Sequence, residues 1–269
     1  MSFVLDISTI SSALGDAARR FDIDLVAECA STNSVLMERA EAGVHGAAGG
    51  TVLVCEHQSA GRGRRGRTWV SAPGDSLTFS LLWRFPKGTS PAGLSLVAGL
   101  AVVRALARTQ TTSTKVGAGV NAQLKWPNDI LLGGRKLGGI LVELVPGAPH
   151  SAVIGIGLNL RLPAAMPDDV RAMATALPNE VSPNDLLADV LKELLGVLER
   201  FSFGGFSALR EEWLAVHAFQ DAPVRLLSDF DPPREGICRG VDGDGALLFE
   251  SGGMVSRVLS GEVSLRSVQ

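Results

Sequence analysis

Cysteine and histidine are scarce in this sequence of 269 residues, and neither is spaced to bind a metal. The three cysteines, Cys29, Cys55 and Cys238, are far apart and form no CxxC pair, which argues against a disulfide framework and a zinc site. The four histidines show no HxxxH or Cys/His spacing. We therefore predict reduced core thiols, no transition-metal site and a cytoplasmic location.

An excess of positive charge and a long apolar run are also missing. The formal net charge of −3 disfavours a general nucleic-acid binder, because no overall positive field steers the chain toward phosphate backbones. The most apolar run, residues 93–103, has about half the length that spans a bilayer. Residues 1–21 contain acids and no continuous apolar segment, which argues against a signal peptide. With 46% hydrophobic residues, we expect a globular protein without a membrane partner.

The sequence does contain a dense basic loop, GRGRRGR, at residues 61–67. Such a segment cannot bury an apolar face, and its glycines let an anion approach the backbone closely. A strand is predicted before it at 51–56, and an alternating strand with one buried face after it at 76–85. The heptad alone leaves open a solvated basic loop, a sequence-independent nucleic-acid patch and a specific anion site.

A second polar cluster begins with KWPND at residues 125–129 and continues with RKLGGILVE at 135–143. Gly133-Gly134 predicts a hairpin turn between strands at 130–132 and 136–144. The Asn128-Asp129 pair lies at a strand end, where a turn projects side chains. A further buried strand is predicted at 151–160.

Apolar periodicity predicts helices separated from a terminal group of short strands. The helices lie at 1–20, 35–41, 91–108, 182–201 and 206–216, with a helical turn at 168–174 and a strand at 23–27. Five short strands are predicted at 224–227, 235–241, 246–250, 254–259 and 262–265, which is typical of a small barrel. We place the domain boundary between residues 220 and 221, so the domains are 1–220 and 221–269.

Taken together, these segments resemble bacterial biotin protein ligases in order and rough spacing. The resemblance rests on Ser31-Thr32-Asn33, the loop 58–69, KWPND, RKLGGILVE, residues 155–159 and GEVSLR at 261–266. It implies an α+β fold: a catalytic domain with a mixed β-sheet and helices, related to class II aminoacyl-tRNA synthetases, followed by a small SH3-like β-barrel. Longer family members carry an N-terminal DNA-binding domain. Only thirty residues precede Ser31, so the expectation is a short form that does not bind DNA.

The resemblance also implies a reaction in two steps. The carboxylate of biotin attacks the α-phosphate of ATP to give biotinyl-AMP, and a lysine of the biotin carboxyl carrier protein of acetyl-CoA carboxylase then takes the acyl group. Because the first step brings two anions together, it needs cations and fixed geometry rather than a protein nucleophile. The implied ligands are biotin, ATP and Mg²⁺, and the choice between monomer and homodimer stays open.

Site residues follow from the same resemblance. The catalytic set is Arg62, Arg64, Lys136 and Asp129, with Asp129 as the Mg²⁺ ligand. The biotin-binding set is Ser31, Thr32, Asn33, Gln58, Gly61, Arg62, Gly63, Arg64, Lys136 and Gly138. The ATP and adenylate set is Arg64, Arg67, Trp69, Asn128, Lys136 and Asn159.

Simpler roles remain open for several of these residues. Ser31-Thr32-Asn33 would serve equally as a helix cap, Trp69 as core packing and Asp129 as a turn cap. Arg65 is expected to face solvent. The glycine-rich loop is expected to be loose when empty and to order over the adenylate. A lipoate-type ligase and a non-catalytic nucleic-acid binder are the rival functions.

Overall fold

Seven strands form one mixed sheet in a computed structural model that describes residues 5–43, 50–109, 119–228, 232–260 and 263–267. The strands are β1 (Asp22–Cys29), β2 (Thr51–Gln58), β3 (Ser76–Arg84), β4 (Ala122–Lys125), β5 (Asp129–Leu132), β6 (Arg135–Val145) and β7 (Ala148–Asn159). Their order is β1-β2-β3-β7-β6-β5-β4. Only the β1–β2 pair is parallel among these neighbours. The predicted hairpin between β5 and β6 is confirmed.

Helices cover both faces of this sheet. They are α1 (Ile7–Leu14), α2 (Thr32–Glu41), α3 (Leu94–Arg108), α4 (Asp168–Met173), α5 (Pro183–Gly204) and α6 (Arg210–Ala215). One face packs against α3, which in turn packs against α5, whereas α2 packs across β2, β3, β6 and β7. Side chains alternate between the two layers, so Leu81 joins the large core and its neighbour Leu82 joins the cluster around Leu36 of α2.

This two-sided packing corrects the prediction for β3. The sequence alternation predicted one buried face, but every residue of β3 except Arg84 is buried. The polar residues that suggested an exposed face, Thr78 and Ser80, are buried and hydrogen-bonded instead.

Two helix predictions also differ from the structure. The helix predicted from Pro91 begins at Leu94, because Gly93 takes the left-handed conformation with φ 80° and interrupts the helical geometry. The helix predicted at 206–216 is split into a 3₁₀ turn, Phe206–Leu209, and α6. The α5 start is confirmed, since the Ser182 hydroxyl accepts a hydrogen bond from the Asp185 amide at 3.3 Å.

A second, five-stranded antiparallel sheet follows, as the barrel prediction requires. Its strands are β8 (Pro223–Ser228), β9 (Arg234–Val241), β10 (Leu247–Ser251), β11 (Met254–Val258) and β12 (Val263–Ser267), in the order β11-β10-β9-β8-β12. The Trp126 indole N–H donates to the Gly245 carbonyl at 3.0 Å, which ties the KWPND segment to this sheet. The α+β fold class is confirmed, and the boundary at residue 220 stays a prediction. Residues 1–4 of the predicted first helix and residue 262 of the predicted last strand lie outside the described ranges.

The three cysteines are not disulfide-bonded. Cys55 and Cys238 are buried as predicted, whereas Cys29 at the end of β1 is only half-buried. No helix within the described ranges combines the length and the apolar composition needed to cross a bilayer.

Candidate functional site

A cavity of about 980 Å³ lies where the arginine loop, the ends of β6 and β7, and β12 meet. It brings together most of the predicted site residues from segments far apart in sequence. They are Ser31, Thr32, Asn33, Gln58, Arg62, Gly63, Arg64, Arg67, Trp69, Asn128, Asp129, Lys136 and Asn159.

Two predicted glycines, Gly61 and Gly138, are not among the lining residues. A Cβ atom at Gly61 would collide with the Trp69 carbonyl oxygen, and one at Gly138 would collide with the Gly157 carbonyl oxygen. Glycine at both positions is therefore explained by close approach within the protein, without reference to a ligand.

One end of the cavity is neutral and buried. Ser31 directly precedes α2, Thr32 and Asn33 begin it, and each of the three is less than 5% exposed. The Ser31 side chain makes no capping bond; instead the Thr32 amide donates to Gln58 Oε1 at 2.8 Å. The plain-cap alternative thus lacks its hydrogen bond. Gly155 makes room for this group, because a Cβ there would collide with Asn33 Oδ1.

The arginine loop is a compact turn beside this end. Gly63 N–H donates to the Arg67 carbonyl at 2.7 Å, and Trp69 N–H donates to the Gly61 carbonyl at 2.9 Å. Arg65 takes a left-handed conformation with φ 58°. The side chain expected to face solvent is half-buried and lines the cavity, so that expectation is wrong.

The two arginines of the predicted catalytic set have partners within the protein. Arg62 pairs with the Glu143 carboxylate and donates to Ser34 Oγ at 3.1 Å. Arg64 donates to Asn128 Oδ1 at 3.2 Å and to the carbonyl of Ser260, which lies between β11 and β12. Burial lowers the pKa of Arg64, and nearby Asp129 opposes that shift.

The other end of the cavity is charged. Asp129 lies 2.6 Å from the Lys125 ammonium and 2.6 Å from the Lys136 ammonium. Burial raises the pKa of the Asp129 carboxyl, but the two lysines outweigh it and hold the pKa at about 2. Burial lowers the pKa of Lys125, against the attraction of Asp129. Further cations line the same cavity: Arg65, Arg67, Arg135 and Arg266. The cavity is thus built for anions although the chain as a whole is acidic.

The residues present do not fit a resident Mg²⁺ ion on Asp129. Each of its two oxygens contacts a lysine ammonium. Among the described residues, no group of three or more histidine, cysteine, aspartate or glutamate side chains could hold a metal ion. A hard divalent cation would have to displace both lysines to use this carboxylate.

Beyond the charged end, the wall carries buried polar atoms without a protein hydrogen bond. They are Trp69 Nε1 and Asn159 Oδ1, although Asn159 Nδ2 donates to the Thr175 carbonyl at 2.9 Å. The Trp69 ring packs over Gly157, where a Cβ would lie 2.5 Å from Cε2. Both side chains line the cavity.

Sequence reasoning missed an apolar rim formed by residues around α4. Met166, Val170 and Met173 line the cavity, and Val170 and Met173 are 42% and 58% exposed. The helical turn itself was predicted, and the spacing of Val170 and Met173 on one face of it was the available signal.

Known proteins are similar to the chain over most of its length. The biotin/lipoate A/B protein ligase family matches residues 29–159. The bifunctional ligase/repressor BirA of Escherichia coli is 37% identical over 245 residues, which cover 89% of this chain and 72% of that protein. The biotin–[acetyl-CoA-carboxylase] ligase of Mycobacterium tuberculosis is 33% identical over 247 residues, which cover 90% of this chain and 88% of that protein.

A solved structure gives the same result. Biotin protein ligase from Aquifex aeolicus, in complex with biotin and ATP, has a TM-score of 0.75 and 28% identity, covering 92% of this chain and 99% of that one. The fold and the sequence therefore agree with each other and with the earlier resemblance. The chain belongs to the biotin protein ligase family.

Proposed function

We propose that the protein activates biotin with ATP to form biotinyl-AMP and pyrophosphate, and transfers biotin to a lysine of the biotin carboxyl carrier protein of acetyl-CoA carboxylase. The observation that carries the proposal is a single cavity with a neutral hydrogen-bonding end and a cationic end. Biotin has the matching shape, with a neutral urea ring at one end and a carboxylate at the other. The family membership of the chain supports the same assignment.

The first step joins two anions, the carboxylate and the α-phosphate. Arg62, Arg64 and Lys136 are the cations assigned to this point, and the planar guanidinium fork of arginine suits oxygen pairs of either group. Lys136 is held by Asp129 at 2.6 Å, so the carboxylate fixes where the ammonium points. Fixed charges of this kind stabilise developing negative charge without reorganisation.

The nucleotide is assigned to the wall beyond the lysines. Trp69, Asn128 and Asn159 would contact the base or ribose there, and Arg67 the phosphates. The positions of Trp69, Asn128 and Asn159 on the lining of the cavity support this assignment. Ser31, Thr32, Asn33 and Gln58 would contact the ring of biotin.

Mg²⁺ is assigned no protein ligand here. Because both oxygens of Asp129 contact lysines, any Mg²⁺ in the reaction would enter with the phosphates of ATP. Asp129 is assigned the role of orienting Lys125 and Lys136. The cytoplasmic location expected from the cysteines stays a prediction.

The proposal is tested by biotin-dependent exchange of labelled pyrophosphate into ATP, run beside lipoate and octanoate. We expect exchange with biotin well above that with the other two acids, followed by label transfer to a carrier domain when one is added. Exchange with lipoate but not biotin would favour the lipoate-type ligase. Salt-dependent RNA binding without any exchange would favour the nucleic-acid binder.

A further inference from the structure

Two residues, Ser80 and Glu143, stand behind the wall of the neutral end without lining the cavity. Asn33 connects them. Its amide nitrogen donates to Glu143 Oε2 at 2.9 Å and to the Leu141 carbonyl at 3.1 Å, and its Oδ1 accepts from Ser80 Oγ at 2.6 Å. A carboxylate and a backbone carbonyl can only accept, so the direction of the Asn33 amide is fixed.

That direction fixes the next hydrogen bonds in turn. Ser80 has one hydroxyl proton, and Asn33 Oδ1 takes it. The Thr32 hydroxyl lies 2.7 Å from Ser80 Oγ and 3.2 Å from Gln58 Oε1. Because the Ser80 proton goes to Asn33 Oδ1, the shorter contact needs the Thr32 proton, and we assign it as a hydrogen bond from Thr32 to Ser80 that leaves the Thr32 oxygen as an acceptor. Gln58 Oε1 accepts from the Thr32 amide at 2.8 Å, which leaves the amide NH₂ of Gln58 as a donor. An acceptor beside a donor matches the N–H and C=O of a cyclic urea.

The second oxygen of Glu143 reaches the arginine loop. Glu143 Oε1 accepts from Arg62 Nη2, and Arg62 Nη1 donates to Ser34 Oγ, the residue after Asn33. The Glu143 side chain is 23% exposed, so its two charge-assisted hydrogen bonds are only partly screened by solvent. One carboxylate thus holds both the neutral end of the cavity and the first arginine of its cationic loop.

We propose that Glu143 is a positioning residue that sets the hydrogen-bond polarity of the ring pocket through Asn33 and Ser80 while holding Arg62 with its other oxygen. The inference rests on the proposed function and adds residues that do not touch the ligand. Recognition of the ring and placement of the loop are then linked through one carboxylate. Substitution of Glu143 should therefore affect both the binding of the ring and the placement of the arginine loop, whereas substitution of Ser80 should affect the binding of the ring alone.

The test compares Glu143→Ala and Ser80→Ala by titration calorimetry with biotin and with biotinol, which keeps the ring but replaces the carboxylate by an alcohol. Each variant should bind biotinol about tenfold or more weakly, the size expected for a disrupted buried hydrogen bond. In the double variant the biotinol loss should be within about threefold of the larger single loss, because both act on one chain of hydrogen bonds. Trypsin should cleave the 61–67 loop faster in Glu143→Ala and at the wild-type rate in Ser80→Ala.

Two matched control variants distinguish a positioning role of Ser80 and Glu143 from a general loss of stability. Ser76→Ala removes a buried hydroxyl of β3 that has no hydrogen-bond partner, and Glu235→Ala removes the partner of Arg225 on the terminal sheet. Neither should change biotinol affinity by more than twofold. If an alanine variant fails to fold, Ser80→Cys and Glu143→Gln keep the packing. Ser80→Cys should still lose affinity severalfold, and Glu143→Gln should lose one of its two effects, because it has one acceptor in place of two.

Two results would overturn the proposal. One is unchanged biotinol affinity in Glu143→Ala with faster loop cleavage, which would mean that Glu143 holds only Arg62. The other is additive losses in the double variant, which would mean that Ser80 and Glu143 act separately. Either result leaves the ligase assignment intact, whereas a wild-type protein that binds neither biotin nor biotinol would remove the assignment itself.

Discussion

The two ends of the cavity are built in different ways. At the neutral end, buried residues of α2, β2 and β3 bond to one another, and Ser80 is fully buried. At the charged end, Asp129 is 13% exposed but Lys136 is 40% exposed, and the arginines come from a loop. Strands hold the first group to a fixed geometry, while opposite charges hold the second. Recognition of the ring and placement of charge thus rest on different elements, and Glu143 connects the two through Asn33 and Arg62.

The largest effect is expected at the charged end. Lys136→Met removes an ammonium that meets developing charge, so biotin-dependent pyrophosphate exchange should fall about 100-fold. The matched control is Lys192→Met on α5, which removes a lysine paired with Asp189 away from the cavity. An exchange rate within twofold of wild type in Lys136→Met would remove Lys136 from the charged end.

Arg64→Ala should have the next largest effect. The exchange rate is expected to fall more than tenfold, because the side chain supplies a cation and also bonds to Asn128 and Ser260. Since the Ser260 contact joins the loop to the segment after β11, trypsin should also cleave the loop faster. Arg84→Ala, at the exposed end of β3, is the control. Normal exchange in Arg64→Ala would show that its contacts serve only to hold the loop.

Two glycines on β7 give a matched pair for the neutral end of the cavity and the wall assigned to the nucleotide. Gly155→Ala pushes against Asn33 and should raise the dissociation constant of biotin about tenfold, with overpacking costing about 1–3 kcal/mol of stability. In Gly157→Ala the new methyl group pushes against the Trp69 ring, so the binding of ATP should be weakened more than the binding of biotin. Calorimetric titration of both ligands measures the difference. Equal losses of both ligands in both variants would contradict the division of the cavity.

The smallest effect is a dependence of stability on pH from Asp129. Its folded pKa of about 2 lies below its ordinary value of 3.8, so its contribution is fully present above that value and is lost as pH falls toward 2. The contribution is about 2 kcal/mol. Urea unfolding between pH 2 and 5 should show a shallower loss of stability in Asp129→Asn than in wild type. If the free energy of unfolding falls equally with pH in Asp129→Asn and in wild type, the two lysines do not lower the pKa of Asp129.

Much of the fold was predictable because its signals are local. The cap at Ser182, the Gly133-Gly134 turn and the terminal short strands are each encoded by a few neighbouring residues. The features that were predicted wrongly depend on contacts with residues far away in sequence. Both faces of β3 are buried because α2 folds back over it, and no alternation in 76–85 could show that.

The site likewise has some residues that local motifs predict and others that only the structure reveals. Basic and glycine-rich motifs mark the charged end in the sequence, although only the structure shows that Asp129 contacts both lysines. Ser80 lies in no quoted motif, and Glu143 ends the RKLGGILVE segment without an assigned role, since a serine and a glutamate in strands look like ordinary surface residues. Their role follows from Asn33, which reaches across Gly155 to both strands.

The central claim is that one cavity holds the ring, the carboxylate and the nucleotide of a single adenylate under the arginine loop. Native mass spectrometry of the protein mixed with biotin and ATP tests it directly, together with trypsin cleavage between residues 61 and 67. We predict one biotinyl-AMP bound per chain and slower cleavage of the loop than with either ligand alone. Protein without bound adenylate, and a loop cleaved equally fast with and without both ligands, would contradict the account.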